Sequence, residues 1–114
     1  MAAETGLTKN MTQEFTRDDY AGCVNTDFIA EFGPEYKVTL KLVNVTEVTE
    51  RSRQRTYVLT FIAPEDTPIV QGIAPMENEK LGHTEIFIVP VGKDKRGMLF
   101  ESVFNTLLDP PDSD

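Results

Sequence analysis

Residues 81–92 read Leu-Gly-His-Thr-Glu-Ile-Phe-Ile-Val-Pro-Val-Gly, the longest apolar run in the chain, with glycine-containing turns on both sides. That is the pattern of a buried β-strand in a small domain. Successive strand side chains point to opposite faces, so Ile86 and Ile88 can fill a core while Phe87, Val89 and Val91 face the other way. Water is a poor neighbour for three such residues. Any fold built around this strand must therefore find cover for both of its faces.

The 114 residues suit one domain that buries roughly 65% of its unfolded surface. Hydrophobic content of 39% and charged content of 26% exclude wholesale disorder. The expected division is a flexible leader over 1–13, a single β-rich domain over 14–106 and an acidic, proline-containing tail over 107–114. A net charge of −8 disfavours nucleic acid, because phosphate-backbone affinity comes from clustered Lys and Arg releasing counterions. Cys23 is the single cysteine and no signal peptide opens the chain, so a cytoplasmic or virion- or particle-associated location is expected. No stretch reaches the ~18 continuous apolar residues of a membrane span.

Thr16 can cap a short helix with Asp19 three positions on, and Phe15 can close on Tyr20 as a hydrophobic staple; the helix ends near Gly22. Phe28, Ala30 and Phe32 alternate along a first strand, and Gly33-Pro34-Glu35 turns the chain. Tyr36, Val38, Leu40 and Leu42 alternate with polar residues, giving one buried and one wet face. The apolar phase slips by one at Leu42-Val43, which predicts a β-bulge. Residues 49–56 are polar and carry Arg51, Arg53 and Arg55, read as a solvated hairpin tip or as an anion or acidic-partner contact.

A strand over 57–63 is apolar on both faces, and 64–80, with Pro64, Pro68 and Pro75, is confined to loop or edge-strand roles. Residues 92–97 turn the chain into a last strand with Met98, Phe100 and Phe104 on one face, Leu99 and Val103 on the other and Glu101 between these two. The expected fold is mainly β, a small antiparallel barrel or sandwich of five to six strands with one short N-terminal helix. Burying Phe87, Val89, Leu99 and Val103 is worth about 1.5–3 kcal/mol each, so something sits on them, either the helix or a second chain.

Gln71-Gly72, Leu81-Gly82, the run from Glu85 to Gly92 and Phe100-Glu101-Ser102-Val103-Phe104-Asn105 together resemble the signature of a bacterial and phage-associated family of short proteins of unknown function. The resemblance implies a small β-rich domain and, for some members, phage-tail-like gene sets. It supplies no catalytic residue, and Glu77-Asn78-Glu79-Lys80 departs from the Glu-His-Pro segment frequent in that family.

His83 shares a strand face with Glu85, and a metal would need further ligands such as Glu77 or Glu79; carboxylates are frequent in so acidic a chain, and a structural or surface role is expected. Cys23 carries no local nucleophile signature. Residues 92–97 lack phosphate-loop spacing. Glu101 lies between apolar neighbours and would carry a raised pKa if buried; a partner such as an Arg or Lys, or plain exposure at a sheet edge, is the commoner explanation. No catalytic, cofactor or metal residue is assigned, and the expected function is a non-catalytic interaction subunit with a protein partner or as a homo-oligomer. Phe87, Val89, Leu99 and Val103, with Arg51, Arg53 and Arg55, are the candidate interface. The alternatives are a barrel binding a small hydrophobic or anionic ligand, and an acidic inhibitor of a basic partner.

Overall fold

The structure is a computed structural model and describes residues 15–107. The leader expected over 1–13, and all but the first residue of the tail expected over 107–114, lie outside the described residues. Among the described residues one helix, α1 (Arg17–Ala21), precedes seven strands: β1 (Asp27–Gly33), β2 (Tyr36–Val45), β3 (Thr49–Arg51), β4 (Gln54–Ala63), β5 (Gly72–Asn78), β6 (Gly82–Asp94) and β7 (Gly97–Leu107). Every pairing is antiparallel, in the order β2-β1-β5-β6-β7-β4-β3. β2 also pairs with β4, so six of the strands form a closed cycle of pairings from which β3 projects as a flap.

Seven strands correct the expectation of five to six, and the two unforeseen ones are β3 and β5. β5 lies between β1 and β6, not in a loop or at an edge. Pro75 is tolerated there because the pairs that β5 makes with β1 end at Ala30 with Met76, one residue short of it. On that side Pro75 has no ladder partner to disappoint, and its missing N–H costs little.

Alternation along each strand sends one side chain in two to the interior, where Phe28, Leu40, Leu59, Phe61, Ile88 and Phe100 are all fully buried. The Phe28 and Phe61 rings meet edge to face at 5.4 Å. Such rings and aliphatic chains lose nearly all their water contact, the main favourable term for a domain of this size. The bulge expected at Leu42-Val43 is present as a register shift between Leu42 and Asn44 in the β2–β4 ladder. A second shift, between Pro90 and Gly92, bends β6 against β7. The turn that follows ends on Gly97, where a Cβ would stand 2.1 Å from the Ala63 carbonyl oxygen, so only glycine lets β7 start this close to β4.

The capping box of α1 is formed: the Thr16 hydroxyl accepts from the Asp19 backbone N–H at 3.1 Å, and the Asp19 carboxylate accepts from the Thr16 N–H at 2.8 Å. Phe15 and Tyr20 close the staple, with centroids 5.9 Å apart. The helix does not lie on the outer face of the late strands. Tyr20 turns inward, 5.4 Å from the Phe104 ring, which stacks in turn on Tyr57 at 4.9 Å, and the Tyr20 hydroxyl meets the Thr84 hydroxyl at 3.0 Å. α1 thus stoppers one end of the interior and leaves the reverse side of β6 and β7 uncovered.

Candidate functional site

The same alternation that fills the interior presents a second, outward set of side chains. On β6 these are Phe87, Val89 and Val91; on β7 they are Leu99, Glu101 and Val103. Register joins the strands into one surface: Val89 pairs with Glu101, Val58 with Val103 and Ile62 with Leu99, while Ile73 on β5 pairs with Phe87. Phe87 remains 49% exposed, Val91 49%, Val103 54% and Ile73 69%, values high enough to make the face apolar to solvent and not merely grazed by it. Val89 and Leu99 are half-buried by their neighbours.

The four apolar residues expected to form an interface therefore share one face. The structure adds Ile73, which the proline-rich reading of 64–80 had hidden. It also shows the helix absent from this face, so the other side of β6 and β7 has no cover among the described residues. Glu101 stands in the middle, with Val89 and Thr60 across from it and Leu99 and Val103 beside it on its own strand. Its carboxylate has no hydrogen bond or ion pair among the described residues.

The arginines lie elsewhere. Ser52 and Arg53 have φ of 50° and 65°, the two left-handed residues of a two-residue hairpin turn between β3 and β4. Arg51, Arg53 and Arg55 are exposed on that hairpin, and the Arg55 guanidinium stands 3.8 Å from the Glu50 carboxylate. Exposed pairs of this kind contribute little stability.

His83 is held on the outer face between two carboxylates, with Nδ1 2.7 Å from Glu77 and Nε2 3.2 Å from Glu85. Glu77 is its cross-strand partner and Glu85 its neighbour two residues along β6. Those hydrogen bonds, Glu77 first, raise its pKa above the ordinary histidine value. Among the described residues no group of three or more His, Cys, Asp or Glu side chains is placed to hold a metal. Cys23 is buried and its thiol lies 3.5 Å from the Asn78 carbonyl oxygen; burial pushes its pKa up, which keeps it protonated and unreactive.

Interior space is taken by side chains: Phe28, Leu40, Leu59, Ile86 and Phe100 are each no more than 1% exposed. Two depressions among the described residues lie outside, one of about 420 Å³ lined by Asp27, Ile29, Glu77, Asn78 and Glu79 and one of about 120 Å³ beside His83 and Lys37. The larger is open and acidic, a poor receptor for an anion. In the turn after β6 the Arg96 guanidinium is paired with Asp94 at 2.7 Å. None of the helices among the described residues is long and apolar enough to cross a membrane.

A short antiparallel β domain with a packed interior, a helix closing on it through Tyr20 and an apolar outer face uncovered among the described residues is thus the class of protein that fold and surface define. The chain belongs to a family known as a domain of unknown function, DUF6916, whose model matches residues 15–104. No curated protein and no solved structure matches it.

Proposed function

We propose that this chain is a non-catalytic interaction subunit of a multi-subunit assembly, of a phage-tail-like kind, built on a small β-barrel whose outer face docks another protein. The closed cycle of six pairings supports the barrel reading, and the motif resemblance supports the phage-tail-like setting. One observation carries the docking reading: Ile73, Phe87, Val91 and Val103 form a contiguous exposed face over three adjacent strands. By their fractional exposure they present on the order of 400 Å² of side chain, the size of the largest apolar patch on a typical monomer. That is about half of the ~800 Å² each partner contributes to a standard interface. The half-buried Val89 and Leu99 and the polar rim complete such an area.

The face is tested by native purification of the tagged chain from its host, beside a Phe87→Ser/Val103→Ser variant whose thermal melt matches the wild type. Docking predicts a stoichiometric partner that copurifies with the wild type and is lost from the variant. A partner retained equally by both, or a bare monomer from native extracts, contradicts it.

A further inference from the structure

We propose that the protein which covers this face is a different chain, and that it presents a lysine or arginine at the centre of an apolar surface to meet Glu101. This rests on the docking reading above and names the partner's chemistry. Glu101 is ringed by Val89, Leu99, Val103 and Thr60, without a partner of its own among the described residues. Uncovered, its carboxylate is hydrated. Covered by another surface, it loses that water and needs a cation, since an unpaired buried charge is strongly destabilising.

A second copy stacked with its axis at Glu101 does not supply one. In that two-fold stack Glu101 meets its own copy on the axis, with Val89, Leu99 and Val103 around it. None of these neutralises it. The chain's net charge of −8 also opposes self-association and favours a basic partner. Glu101 therefore acts as a selector: the apolar ring offers area, and the carboxylate rejects surfaces that lack a matching cation, copies of itself included.

The test uses copies of the chain as the probe, read by sedimentation velocity, with far-UV spectra and melts confirming that each variant is folded. Glu101 points outward, so its replacement leaves the interior intact. Wild type alone and Glu101→Lys alone are expected to stay monomeric at high micromolar concentration. Their equimolar mixture is expected to form a one-to-one dimer at least ~10-fold tighter than either self-association, as interfacial charge pairs allow. Glu101→Val, which makes the face wholly apolar, is expected to self-associate.

Dimerisation of the wild type through this face, blocked by Phe87→Ser, would overturn the proposal. So would a mixture no tighter than its components while Glu101→Val self-associates; in that outcome the docking face stands and only the demand for a cation fails. If neither the mixture nor Glu101→Val associates, the demand for a cation falls, and the docking reading is decided by the copurification above.

Discussion

Asn78→Ala removes the most connected buried polar side chain among the described residues. Asn78 is 4% exposed at the end of β5, and its amide donates to the Thr26 hydroxyl and to the Asp27 carbonyl, both at 2.9 Å. Its carbonyl oxygen accepts from the backbone N–H of Lys80 at 2.8 Å and of Leu81 at 3.0 Å, which shapes the turn into β6, and from the Cys23 thiol. One side chain thus ties the segment after α1 to the start of β1 and to the β5–β6 turn. A net hydrogen bond is worth about 1 kcal/mol, and an orphaned buried group costs about 1–3 kcal/mol. Lys80 and Asp27 are exposed residues whose backbone groups can turn to water, whereas Leu81 and Thr26 are half-buried. The expected loss is therefore about 2–3 kcal/mol, read from urea unfolding followed by far-UV circular dichroism, with the slope unchanged. Asn78→Asp keeps the accepted bonds but sets a carboxylate oxygen against the Asp27 carbonyl, and it should lose stability too. A loss below about 0.5 kcal/mol for Asn78→Ala would show that water replaces these bonds and that the hub does not hold the turn.

Thr16→Ala deletes half of the capping box and should cost about 1 kcal/mol in the same assay; no change would mean that the Tyr20 anchor alone fixes the helix. Tyr20→Phe removes the buried hydroxyl pair with Thr84 and should cost about 1–2 kcal/mol, whereas a neutral result would place a water at Thr84. His83 should titrate above 6.5 by NMR and fall back toward that value in Glu77→Gln, since Glu77 is the larger cause of its shift. Because its folded-state pKa is raised, its contribution is full below about pH 6.5 and lost as pH rises through the raised value; at a site half open to solvent it amounts to no more than about 1 kcal/mol. A wild-type His83 titrating at 6.5 or below would refute the carboxylate clamp.

Local signals made part of this fold readable in advance. The Thr16 cap, the alternation along β2, the slip at Leu42-Val43 and the outward Phe87, Val89 and Val91 follow from short-range geometry, and each is in place. Apart from β3, whose hairpin with β4 is local, what escaped depends on pairings distant in sequence. β5 is identified as a strand only by β1 and β6 on its two sides, and its proline and glycine point the other way when read alone. The closure of β2 on β4 and the inward seat of Tyr20 are likewise tertiary. For the candidate site, four of the six apolar residues were chosen from alternation, while Ile73 needed the Phe87 pairing to come into view. Glu101 was visible as a carboxylate between apolar neighbours; that it lacks a partner needed coordinates. Arg51, Arg53 and Arg55 drew notice by charge and lie exposed on the β3–β4 hairpin.

Carbene footprinting of the isolated chain and of the same chain within its native assembly, resolved to single residues, addresses the docking face most directly. Ile73, Phe87, Val91 and Val103 should label strongly in isolation and be protected in the assembly, while Ile69, 76% exposed in the loop before β5, labels in both. Equal labelling of the four residues in the two states would show that nothing covers the outer face.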